Sequence, residues 1–232
     1  MSSKRAQSIA DRKNRILDAA RTIIARDGYD ALTTRGIAEA AGVTAPTLYN
    51  LIGDKLAIVS AMATASIDEL WERLHLDERN SPIEMADAIL DEAFAQILAE
   101  PEVNCATFIA LERMGIAFSY HPTREDAGAH TARRSIEMAQ YACDAAQSVG
   151  QLRGNLSSHE LALQMFATYR APLDDWVHQA IDANEMLRRQ RIGFYTVLAS
   201  DASEEFREEL LRRIAALSSP EVEWPDTGKE AA

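Results

Sequence analysis

Cysteine is nearly absent: the 232-residue chain has two, Cys105 and Cys143. They form no CxxC pair and sit in no Cys/His cluster, which excludes a disulfide framework and a structural zinc site; two reduced, buried thiols are expected. No apolar run approaches the roughly 18 residues that span a bilayer. The stretch from Met1 to Asn14 is polar rather than signal-like, so a cytoplasmic protein without a membrane partner is expected. Nowhere does a Val/Ile/Thr-rich alternating segment lie between turn signals, which leaves no strands to build a sheet. HExxH, GxSxG, phosphate-loop and dinucleotide-binding glycine patterns are all missing, so the common catalytic chemistries have no residues to stand on. Neither a catalytic residue, a resident metal nor a cofactor is expected.

Positive charge is also scarce, with 24 Lys/Arg against 36 Asp/Glu and a net charge of -12. It is unevenly placed. From Met1 to Lys55 there are nine basic and six acidic residues, about +3, while the remainder carries 15 basic and 30 acidic, about -15. A polyanion is drawn to the first part and repelled by the second. A charged helix face is more often simply solvated, so the split gains meaning only with a motif.

What is present is helical periodicity. Apolar residues recur three and four apart along nearly the whole chain, and an all-α fold follows. A first helix is predicted from about Asp11 to Asp27, burying Ile16, Ala20, Ile23 and Ile24 and ending at Gly28, with a loose basic arm before it. Short helices follow over Thr34 to Ala41 and Thr44 to Leu51. A long one covers Lys55 to Leu76. Further helices are predicted for Pro82 to Ala99, Pro101 to Phe118, Arg124 to Gly150, Ser158 to Ile181, Ala183 to Ala199 and Ser203 to Leu217, with proline, glycine and aspartate at the breaks. The breaks and the charge split divide the chain into a small basic helical domain over 1–55, a larger acidic helical domain over 56–218, and a disordered tail over 219–232.

The densest signal runs from Thr33 to Tyr49. Thr33 and Thr44 are suited to cap two short helices, Ala38 is small where those helices must cross, and Gly42 supplies a positive φ for the turn between them. Ile37, Val43 and Leu48 close a small core, and the pattern is that of a helix-turn-helix. In such a unit the helix from Ala45 lies in the major groove. Thr47 can then bond a base or touch a thymine methyl, Ala45 can pack on a methyl, and Asn50 can pair with adenine. Thr33, Thr44, Tyr49 and Lys55 suit phosphates, Arg35 suits either, and Pro46 fits the first helical turn at the cost of one donor.

A basic first helix, Thr-x-x-x-Ile-Ala-x-x-Ala-Gly-Val-Thr-x-x-Thr-Leu-Tyr, and a lysine opening a long helix resemble the TetR family of bacterial repressors over about residues 12 to 60. The stretch Gly150-Gln151-Leu152-Arg153-Gly154-Asn155-Leu156 is also similar to many members. The resemblance implies a DNA-binding repressor: a two-fold homodimer on a palindromic double-stranded operator, a variable helical ligand domain, and release when a small-molecule effector binds. Leu51 and Ile52 depart from the pattern, since members often have an aromatic or histidine followed by phenylalanine there. Ile52 can still fill the core, whereas Leu51 cannot contact a phosphate.

Trp71, Phe94, Phe108, Met114, Phe118, Met138, Tyr141, Phe166 and Tyr169 would line an apolar ligand pocket, or simply form core, because one helical stripe serves both. Two late helices carry wide apolar stripes: Leu161, Met165, Tyr169, Leu173, Trp176 and Val177 on one, Met186, Gly193, Phe194 and Val197 on the next. They suit a self-complementary dimer face or the monomer's own core. Two other function classes remain open. Glu72-x-x-His75 and Asp175-x-x-His178, with Glu69 and Glu112, could build a di-metal site in a helix bundle; stoichiometric iron or manganese would mark it. A helical interaction module that lost DNA binding would keep dimer and ligand without an operator.

Overall fold

The computed structural model describes residues 2–74, 81–113, 115 and 125–218. Met114, Phe118 and the tail over 219–232 lie outside the described residues. The described chain is helical: α1 (Ser2–Asp27), a single 3-10 turn (Tyr29–Ala31), α2 (Thr34–Ala40), α3 (Ala45–Leu51), α4 (Lys55–Leu74), α5 (Pro82–Ala99), α6 (Pro101–Arg113), α7 (Ala127–Ser148), α8 (Ser158–Val177), α9 (Ala183–Asp201) and α10 (Glu204–Leu217).

The start of α1 corrects the expected loose arm. The helix begins at Ser2 rather than Asp11, although residues 4–10 are exposed and gain nothing from burial. Local chemistry sustains it. No glycine or proline interrupts the segment, Gln7 donates to Asp11 at 2.9 Å, and Arg12 reaches back to the Ser8 carbonyl and hydroxyl at 3.1 and 3.0 Å. These are four-residue spacings that stabilise a helix without a tertiary partner.

Two main cores organise the chain. The first joins Ile16, Ala20 and Ile24 of α1 to Ile37, Leu48, Ile58, Val59 and Met62, and takes in Val103, Ala110 and Leu111 from α6. The second draws on the later half of α4 with α5 and α7 to α10. The helix α4 therefore serves both, with Met62 in one core and Ile67 in the other. Each fully buried aliphatic side chain contributes roughly 1.5–3 kcal/mol, so α4 cannot shift at one end without disturbing packing at the other.

The apolar stripes of α8 and α9 close the subunit's own core. Leu161, Met165, Leu173, Val177, Met186 and Phe194 are all buried within one chain. Gly193 is explained by the same packing: a Cβ there would come within 2.6 Å of the Thr168 Cβ on α8. The dimer-face expectation for these stripes gives way to the core reading for the buried members.

Between α7 and α8, the loop is tied to the end of α9 by a buried carboxylate. Asp201 accepts from the backbone of Gly154 (2.8 Å) and Asn155 (3.1 Å) and from the Asn155 side chain (2.9 Å). Arg153 N donates to the Asp201 carbonyl at 2.8 Å, beside an isolated antiparallel bridge between Leu152 and Ala202.

Candidate functional site

Two short helices are each started by a threonine cap. Thr33 accepts from Gly36 N at 3.1 Å, and Thr44 accepts from Thr47 N at 3.3 Å. Each satisfies an amide that the first helical turn leaves unpaired. Between the helices Gly42 takes φ 65°, which lets Val43 N turn back to the Ala38 carbonyl at 2.9 Å. Ile37, Ala38 and Leu48 are buried beneath. The result is a helix-turn-helix packed on α1, with Arg15 Nε donating to the Ala41 carbonyl at 3.4 Å.

The outer side of this unit carries most of the predicted contacts. Thr33, Arg35, Thr44, Pro46, Tyr49 and Asn50 are exposed, while Ala45 and Thr47 are partly so. Pro46 occupies the first turn of α3, where no intrahelical donor is lost. The hydroxyls of Thr44 and Thr47 lie 2.8 Å apart, which still leaves bonding capacity on each. Tyr49, 52% exposed, is more than a surface ring. Its hydroxyl lies 3.4 Å from the Thr34 hydroxyl, setting the later part of α3 beside the first turn of α2.

Lys55 is engaged in a way its position at the head of α4 did not reveal. Its ammonium donates to the Tyr29 carbonyl at 2.9 Å and stands 3.8 Å from the Tyr29 ring centroid. The lysine thus pins the 3-10 turn to α4, and burial pushes the Tyr29 phenol up. An ammonium has three donors, so engagement with a phosphate is compatible with this anchor.

A cavity of about 440 Å³ lies among α4, α5, α6, α7 and α8, with Arg21 of α1 at its edge. Of the aromatics named from sequence, Phe108, Phe166 and Tyr169 line it. Four other predicted lining residues lie elsewhere, which corrects the pocket expectation for them. Met138 is buried in the second core. Trp71 packs against that core with the Arg134 guanidinium 5.2 Å from its ring centroid. Phe94 packs on the small cluster of Ile97, Leu173, Val177 and Met186, and Tyr141 is 40% exposed.

Sequence reading missed the polar part of the wall. Gln96 donates to the Ser66 carbonyl (2.8 Å) and hydroxyl (2.6 Å), and Asn104 donates to the carbonyls of Ile97 and Glu100. Thr107 and Thr131 also line the cavity, and among the described residues the buried hydroxyls of both lack a hydrogen-bond partner. A signal existed for Thr107. It shares the spacing of Val103, Ala110 and Leu111, a threonine on an otherwise apolar stripe.

Of the di-metal pattern, His75 lies outside the described residues. Asp175 pairs with Arg189 at 3.2 Å and His178 stands 3.6 Å from Glu112. Among the described residues no group of three or more His, Cys, Asp or Glu could hold a metal ion. No helix of the described chain is long and apolar enough to cross a membrane.

The family model described as bacterial regulatory proteins, tetR family, matches residues 16–62. This span includes both capped helices, the Gly42 turn and the half of α4 that seals them. The N-terminal segment is thus similar to the DNA-binding segment of that family. Solved structures extend the likeness to the whole fold. RolR in complex with resorcinol matches with a TM-score of 0.64 at 20% identity, covering 93% of this chain and 98% of that one. The fatty acid degradation regulator FadR from Bacillus halodurans gives 0.62 at 16% identity, covering 78% and 94%. SmeT, the repressor of the Stenotrophomonas maltophilia multidrug efflux pump SmeDEF, gives 0.61 at 18%, covering 84% and 92%. A comparison with curated proteins finds no match. The chain therefore shares the all-α fold of these structures, a small helix-turn-helix head on a larger helical body.

Proposed function

We propose that the protein is a transcriptional repressor that binds a palindromic operator as a homodimer and releases it when a small molecule enters the cavity. One observation carries this reading: the cavity and the DNA-reading head share side chains. Met62 of α4 and Val103 of α6 line the cavity and also belong to the core under the helix-turn-helix. A ligand that repacks this wall changes the support of α1 and α4, and so the placement of α3. It acts only to the extent that it prefers the displaced form, since equal affinity for both shifts nothing. RolR, whose structure holds resorcinol, supplies a precedent of the same fold.

Within the head, Thr47 is the main base contact, with Ala45 and Asn50 beside it. Thr33, Arg35, Thr44 and Tyr49 hold phosphates, assisted by Lys55. A head this small needs two half-sites for useful affinity, so a dimer is part of the proposal. The buried stripes of α8 and α9 are occupied, which leaves their outward faces. There Ala167, Ala171 and Thr196 are exposed and uncharged in an otherwise acidic body. The DNA-reading role sets the site of action in the cytoplasm.

Selection of tight binders from random duplexes at two salt concentrations, using the ligand-free protein, tests this reading. Enrichment of a palindrome with half-sites about one helical turn apart is expected. Recovery of no common sequence by folded protein would overturn the operator reading and favour the module without DNA.

A further inference from the structure

The wall of the cavity constrains what it accepts. Its charged residues are Arg21, Glu69, Arg73, Glu92, Glu100, Arg170 and Asp174, and each arginine already faces a carboxylate, Arg21 standing 3.6 Å from Asp18. Arg73 stands 3.8 Å from Glu92, and Arg170 stands 3.1 Å from Asp174. All four side chains keep between 28 and 56% of their surface in solvent. The buried lining is different. Met62, Leu70, Ile97, Val103, Phe166 and Leu173 are apolar, and among the described residues no buried side chain of the wall is charged. An ionised ligand taken inside would lose its hydration while the nearest cations, Arg21, Arg73 and Arg170, already face carboxylates, a large penalty.

The interior does have polar groups without partners. Thr107 is 7% exposed, and its hydroxyl and that of Thr131, on α6 and α7, make no hydrogen bond among the described residues. Buried hydroxyls left in this state are costly and rare, and a ligand oxygen would relieve them. Tyr169 adds a neutral phenol, since burial pushes it up to about 12.

Resting on the reading of the cavity as the effector site, we propose that the effector is an uncharged, mainly apolar molecule bearing a hydroxyl or carbonyl oxygen, engaged by Thr107 and Thr131. The volume of about 440 Å³ falls in the range of small-molecule pockets. Thr107 and Thr131 then set polarity, while the aromatic and aliphatic wall sets shape.

The test titrates the full chain, without DNA, with three molecules of one shape: naphthalene, 2-naphthol and 2-naphthoate. Binding is followed by calorimetry. The expected order is 2-naphthol tightest, with 2-naphthoate at least about tenfold weaker for want of a buried cation. Thr107→Val with Thr131→Val should reduce the preference for 2-naphthol over naphthalene by about threefold or more. The same change should leave the thermal midpoint unchanged or raise it by about 2–4 °C, since it replaces unpaired hydroxyls with methyl groups. Tighter binding of 2-naphthoate, an undiminished naphthol preference in the folded double variant, or no binding of any of the three would overturn the proposal. Because no DNA is present, failure of operator binding leaves this result intact, and failure here leaves the selected operator intact.

Discussion

The head and the body of this molecule are both helical, yet they are specified differently. In the head, α2 and α3 have seven residues each, too few to be stable alone. Almost every position there has its own role, from the two threonine caps and the turn glycine to Ala38 at the crossing and Leu48 in the core. In the body, helices of 13 to 22 residues are stabilised by broad apolar faces, and many side chains could be exchanged without changing which faces meet. A reading surface has to be placed residue by residue. A ligand chamber needs only that helices leave a gap between them, and the lining can vary.

The sharpest way to break this contrast is to remove one core side chain from the head. Leu48→Ala leaves a cavity under α3, where Leu48 is fully buried. It should cost about 2–5 kcal/mol in urea unfolding, with loss of DNA binding. Tyr141→Ala, at a 40% exposed position of the body, should stay within about 0.5 kcal/mol. Comparable losses at the two sites would remove the distinction.

A smaller effect is expected at a body segment that is built like the head, the Gly154–Asn155 loop held by Asp201. Asp201→Asn keeps the shape but loses charge-assisted acceptance from three donors. About 1.5–3 kcal/mol should be lost, read by urea unfolding, and amide exchange of Gly154 and Asn155 should accelerate. Unchanged exchange would show that the loop is held by its backbone alone.

The smallest effect lies on the surface of the body. Arg188 and Arg189 hold the Glu185 carboxyl down at about 2, from an ordinary value of 4.5. A carboxylate lowered in the folded state stabilises above its unfolded value. That contribution is lost as pH falls from about 4.5 towards 2. Glu185→Gln should flatten this acid limb by no more than about 1 kcal/mol, because the pair is partly solvated. Stability curves of the two proteins that run parallel between pH 4.5 and about 2 would contradict the assignment.

The same contrast explains what is legible in the sequence. The helix-turn-helix is legible because caps and turn glycine are local signals; α3 spans Ala45–Leu51, and both capping threonines bond as expected. The start of α1 is not, because apolar repeats begin only later in that helix, whereas its early turns rest on Gln7, Asp11, Ser8 and Arg12. The cavity wall is only partly legible. Phe108 and Met138 look alike on a helical stripe, and which one meets a gap depends on how helices pack at a distance in sequence. Thr107 is visible as a polar residue on an apolar stripe, but its lack of a partner depends on what α7 brings opposite it. The occupied stripes of α8 and α9 show the same ambiguity between core and interface.

The most direct measurement is the affinity of Thr47→Ala, against the parent protein, for the selected operator and its single-base variants at two salt concentrations. A loss of about 1–3 kcal/mol confined to particular base positions in each half-site is expected, with the salt slope unchanged. An equal loss on every duplex, or a slope that falls with the mutation, would contradict the placement of α3 as the element that reads sequence.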